Sequence, residues 1–191
     1  KDESGRILWS WHIWMTDTPD EQVYNNDAGT MMDRNLGATS AQPGEAGSYG
    51  LLYQWGRKDP FLGAYADTSL VKTVSTVSWP SAEVSNQSTG TVKYATEHPM
   101  TFINGNKKQD WQYNPDKTRW QSEKTIYDPC PVGWRVPDGG EDGVWAVARG
   151  SFEDFAKPFH HEAGINFTTH FGQDQTIWYP AAGILEVNGQ L

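Results

Sequence analysis

Residues 7–15 read Ile-Leu-Trp-Ser-Trp-His-Ile-Trp-Met. Ile7, Trp9, Trp11, Ile13 and Met15 recur at period two, which predicts a strand with one heavily apolar side. Ser10 and His12 share the other side with Leu8 and Trp14, so that side is partly covered too. Thr16-Asp17-Thr18-Pro19-Asp20 breaks the strand. A short extended piece follows at residues 30–33, and Asn35-Leu36-Gly37 turns the chain into a Gly-, Ala-, Ser- and Pro-rich loop over 38–48. Ser48 is placed to cap a helix over 49–55 that Gly56 stops, with Leu51, Leu52 and Trp55 toward the core.

From 56 to about 124 the periodicity dissolves into polar, Gly- and Asn-rich text carrying isolated rings, among them Phe61, Trp79, Phe102, Trp111, Tyr113 and Trp120. A stretch this long without a pattern predicts short strands and ordered loops pinned by those rings. Pattern returns with Tyr127-Asp128-Pro129-Cys130-Pro131-Val132-Gly133, a rigid turn whose pre-proline residues are pushed to extended geometry. An extended run over 134–137 and a helix over 144–156 follow. Gly150 interrupts that helix, Ser151-Phe152-Glu153-Asp154 restarts it, and Pro158 lies beyond. Residues 176–180 and 184–187 read as late strands, and Asn188-Gly189 is a hairpin turn signal that calls for a return strand. No linker, repeat or composition break divides the chain, so residues 1–191 are expected to form one domain.

Charge and composition narrow the class. Rings make up 13% of the chain, including ten Trp, which argues against whole-chain disorder. The net charge of −9 repels phosphate backbones and makes nucleic acid a poor partner. No stretch approaches the roughly 18 apolar residues of a membrane span. The start at Lys1-Asp2-Glu3 is not a leader pattern and reads as a processed piece of something longer.

Several chemical motifs fail on spacing. His160-His161-Glu162 would need a second His at 165 to bind zinc as a metalloprotease helix does, and that position is Ile165. Asp138-Gly139-Gly140-Glu141-Asp142-Gly143 resembles a calcium loop, but Gly140 and Arg149 stand where oxygen ligands are needed; it reads better as the entry to a helix at Val144. No phosphate-cradling loop or nucleophile elbow occurs, and no metal or cofactor is expected. Trp111-Gln112-Tyr113-Asn114 interleaves rings with amides, the chemistry that stacks on sugar faces and bonds hydroxyls, although such residues more often simply pin a loop.

Four segments, taken in order, resemble a known family. They are Met32-Asp33-Arg34-Asn35-Leu36-Gly37-Ala38, residues 50–61 (GLLYQWGRKDPF), residues 127–137 (YDPCPVGWRVP), and Trp178-Tyr179-Pro180-Ala181-Ala182-Gly183. The chain is thereby similar to the Fibrobacter succinogenes major paralogous domain, found in surface lipoproteins and fimbrial proteins of Bacteroidetes-type bacteria. The resemblance implies an α+β, C-type-lectin-like domain with two short helices, a small twisted antiparallel sheet and long ordered loops. It implies a place on the cell surface or pilus of a Gram-negative bacterium, and a chain that continues past Leu191 to a closing cysteine able to pair with Cys130. The Glu-Pro-Asn, Gln-Pro-Asp and Trp-Asn-Asp triplets of calcium-dependent lectins do not occur, so calcium-mediated sugar binding is not expected. One cysteine also cannot supply the active pair of the related formylglycine-generating enzymes.

The resulting expectation is a non-catalytic adhesin or pilus-tip module whose ligand is a glycan or a surface protein, held by Trp79, Trp111 and Tyr113. Trp55, Trp120 and Trp134 lie in or beside the family segments and are assigned to the core. The alternatives are a structural pilus subunit that packs only against sibling pilins, and a polysaccharide-active surface enzyme.

Overall fold

The computed structural model describes residues 1–24, 28–42, 45–61, 82–105, 110–149, 164–166, 178–180 and 182. Over these residues it is a mixed α+β protein with two short helices and small two-stranded sheets. Strands β1 (Glu21–Tyr24) and β2 (Gly29–Met32) form an antiparallel pair with Glu21 opposite Met32 and Tyr24 opposite Gly29. Strands β3 (Leu52–Tyr53) and β4 (Pro60–Phe61) form a second antiparallel pair. Strands β5 (Ala82–Val84) and β6 (Phe102–Asn104) run parallel, and helix α1 (Val92–Glu97) lies between them in sequence. A parallel pair requires a crossover, and here that crossover carries a helix. This pair departs from the all-antiparallel expectation. Helix α2 (Val144–Arg149) matches the first part of the helix read over 144–156, and the restart over 151–156 lies outside the described residues. Strands β7 (Gly164–Asn166) and β8 (Trp178–Pro180) close the set as an antiparallel pair.

The helix expected over 49–55 is not formed. A single 3₁₀ turn at Ala46–Ser48 ends at Tyr49, and β3 begins three residues later. Gly50 is the cause: it sits at φ +73°, and a Cβ there would stand 2.7 Å from the Leu36 carbonyl oxygen. That left-handed residue breaks the α pattern one step after the turn. Leu51 and Leu52 are consequently half-buried, and Trp55 is exposed rather than core-facing.

Two buried clusters organise the described residues. Tyr24, Val144, Ala148 and Tyr179 pack together, with Met31 and Trp145 against them. This joins the β1–β2 hairpin to α2 and β8. Tyr24 donates its hydroxyl proton to Tyr179 Oη at 2.9 Å, and the Tyr179 hydroxyl donates to the Met32 carbonyl. The second cluster joins Ala95 of α1, Ile103 of β6 and Trp111, with Tyr94 at its edge. Phe61 and Phe102 meet edge to face at 5.7 Å beside it, which suits the quadrupoles of two buried rings.

Arg57 ties the second cluster to its surroundings. It is 3% exposed, and its guanidinium donates to the carbonyls of Thr101 (2.8 Å), His98 (3.2 Å) and Ala95 (3.3 Å). These include carbonyls at the C-terminal end of α1, which have no intrahelical donor. At the other end Thr91 caps the helix by accepting the Tyr94 N–H at 3.1 Å. A six-residue helix is too short to stand on propensity, and these two polar clamps compensate.

Candidate functional site

The three rings singled out from the sequence have different fates. Trp79 lies outside the described residues. Trp111 is 4% exposed, packs against Ala95 and Ile103, and donates its indole N–H to the Trp55 carbonyl. With so little of its surface exposed, Trp111 is corrected to a core residue that borders the smaller pocket described below. The local cause is its neighbour Gln112, also buried, whose Oε1 accepts from Arg119 Nε at 3.0 Å and from the Asp116 N–H at 3.2 Å. The interleaved amide is thus an internal loop staple. Tyr113 is 40% exposed, and among the described residues its hydrogen bonding is through its backbone, its N–H donating to the Gly90 carbonyl at 3.0 Å. Of the two candidate rings described, only Tyr113 remains available at the surface.

Cys130 carries a free thiol in this chain. Burial, reinforced by the neighbouring Asp128 carboxylate, pushes that thiol up to about 12. It is therefore protonated and a poor nucleophile at neutral pH. Asp128 itself is 7% exposed and holds the turn that the paired prolines predicted. Burial pushes its carboxyl up, but the bonds from Lys124 Nζ and the Val136 and Cys130 N–H groups, each at 2.8 Å, outweigh burial and leave it below its usual range.

Sequence reasoning overlooked a different surface. Over residues 9–16 burial alternates residue by residue, as an extended strand does, but the apolar row faces outward. Trp9 is 62% exposed, Trp11 72%, Ile13 61% and Met15 83%. The opposite row faces the protein through polar contacts: Ser10 donates to the Asp59 carboxylate, Trp14 Nε1 donates to the Ala38 carbonyl at 3.1 Å, and His12 lies 6.4 Å from the Tyr53 ring. Among the described residues this segment forms no strand ladder; the Ser10 carbonyl accepts from Lys58 Nζ instead. An uncharged strip of adjacent exposed apolar side chains, with no strand paired to its main chain among the described residues, differs from the scattered apolar residues normal on a surface. The signal was present in the sequence: no charge falls between Arg6 and Asp17, although the chain carries −9 overall.

Two concave regions flank these elements. A cavity of about 590 Å³ lies among Met31, Arg34, Cys130, Trp134, Asp142 and Tyr179. The arginines bordering it are committed, Arg34 to Asp33 at 2.8 Å and Arg135 to Asp138 at 2.7 Å. A smaller pocket of about 190 Å³ opens beside Trp9. Among the described residues, no group of three or more His, Cys, Asp and Glu side chains is arranged to hold a metal ion, and no helix is long and apolar enough to cross a membrane.

Comparison with protein-family models, curated proteins and solved structures finds no match to this chain.

Proposed function

We propose that this chain is a non-catalytic, extracellular binding module, an adhesin or pilus-tip domain with a C-type-lectin-like fold, displayed on a Gram-negative cell surface. Segments 32–38, 50–61, 127–137 and 178–183, whose sequences taken in this order resemble the Fibrobacter succinogenes major paralogous domain, support the family and location. The mixed α+β architecture with two short helices is compatible with that fold.

One observation carries the binding role: the outward row Trp9, Trp11, Ile13 and Met15 on a segment that forms no strand ladder among the described residues. Exposing such a row costs free energy, at about 25 cal/mol per Å² of apolar area that a partner could cover. Its composition favours a protein ligand over a sugar. Rings alone suit a sugar face, whereas a mixed ring and aliphatic row on an extended segment outside any described ladder suits an added polypeptide strand. The same strip gives specific support to the second reading, a structural pilus subunit, because a sibling subunit could supply that strand.

A synthetic strand peptide of alternating Ile and Thr, flanked by lysines, tests the reading by calorimetric titration. Binding to the wild-type chain is expected, with affinity reduced at least tenfold in a Trp11→Ser/Ile13→Ser variant whose thermal midpoint is unchanged. Equal affinity in the variant, or no binding to the wild type, contradicts the proposal.

A further inference from the structure

The smaller pocket carries a second, separate binding role. Its lining includes Trp9, Arg57, Lys58, Trp111, Arg119 and Tyr127. Arg119 is 5% exposed. Its guanidinium lies 4.4 Å from the centre of the Tyr127 ring and 5.5 Å from that of Trp111, and its Nε donates to Gln112. Its two terminal nitrogens have no hydrogen-bond acceptor among the described residues, and neither belongs to the fully enclosed polar atoms. They therefore remain open to the pocket. Arg57, in the same lining, donates to main-chain carbonyls and retains a buried Nε without an acceptor.

The charge balance of the pocket is unusual for so acidic a chain. Among the described residues neither guanidinium makes an ion pair with a carboxylate. The lining carboxylate, Asp59, accepts from Ser10 and faces Lys58 Nζ at 3.5 Å. Two nearly buried guanidiniums therefore share one cavity with no carboxylate in contact with either among the described residues, although Asp59 acts on Arg57 and Asp116 on Arg119 electrostatically from farther away. Burying a cation in this way is unfavourable, and contact with ring faces offsets only part of the cost. An anion entering the pocket would meet Arg119's free donors in the fork geometry that suits a carboxylate.

We propose that this pocket is a subsite for the carboxylate of one acidic sugar residue of a glycan. The guanidinium of Arg119 binds the carboxylate, Arg57 and Lys58 add positive potential, and Trp9, an exposed lining residue with Lys58 Nζ 5.0 Å from its ring centre, offers apolar surface against which a pyranose ring stacks. That exposed ring is what favours a sugar over an acidic peptide side chain, which has no face to stack. The proposal does not depend on the outward strip binding a strand; the two features share only Trp9.

Ligand-observed NMR and calorimetry with three small probes test the pocket. Methyl β-D-glucuronide is expected to bind at least tenfold more tightly than the neutral methyl β-D-glucoside, with binding weakening as salt rises from low to near-molar concentration. Arg119→Gln is expected to reduce uronide affinity at least tenfold. Because Arg119 is buried, Trp9→Ala provides a second variant at an exposed position, and it too is expected to weaken uronide binding. Equal binding of the glucoside, or uronide binding unchanged in Trp9→Ala or in folded Arg119→Gln, overturns the site. Preference for N-acetyl-aspartate amide over the uronide overturns the sugar assignment. The strip peptide serves as the control for the other proposal, since Arg119→Gln should leave its binding intact if the chain remains folded.

Discussion

Single residues decide how the aromatic count of this chain should be read. Trp111 and Tyr113 are two positions apart in the same polar segment, yet one is 4% exposed and the other 40%. Trp111→Ala removes a packed ring and leaves the Trp55 carbonyl without its donor. A loss of about 3–5 kcal/mol is expected from chemical denaturation, whereas Tyr113→Ala should stay within about 0.5 kcal/mol of wild type. Similar losses for both would return Trp111 to the surface or Tyr113 to the core. Nothing in the local text distinguishes the two rings. Trp111 is buried because of distant residues, Ala95 and Ile103, that the fold brings to it. The same limit hid Arg119: an arginine in a polar stretch reads as solvated until Trp111 and Tyr127 close around it.

Elements held by local chemistry were legible, and those held by long-range contacts were not. The 127–133 turn, read from its prolines, is fastened by Asp128 to the Cys130 and Val136 N–H groups. The Asp128 carboxyl lies below its ordinary value of 3.8, so the charged form stabilises the fold. That contribution is fully present above pH 3.8 and is lost as pH falls through the depressed folded value. Asp128→Asn should therefore be less stable than wild type at neutral pH, with the gap narrowing below about pH 4 in denaturation curves taken across the acid range. A gap independent of pH would assign the effect to the hydrogen bonds alone. Helix α2 was visible because Val144, Val147 and Ala148 repeat at helical spacing. Helix α1 was missed because six residues carry little periodicity, and its ends depend on Thr91 nearby and on Arg57 far away in sequence. The false helix over 49–55 came from trusting Ser48 and the Leu51, Leu52, Trp55 spacing over Gly50.

At the scale of the whole molecule, alternation identified the two faces of residues 7–15 but not which of them meets the protein. That choice depends on Asp59, Ala38 and Tyr53, which engage the Ser10, Trp14 and His12 row and leave the apolar row outside. The proposed role for this uncharged apolar strip, left in the open on an acidic chain, is to receive a partner strand. Native-state hydrogen–deuterium exchange of the isolated chain, followed at the amides of residues 7–15, tests this most directly. The account predicts exchange close to that of an unstructured peptide, while amides of β6 and α2 stay protected. Protection of residues 7–15 comparable to β6 would show the segment already paired and covered, and would contradict it.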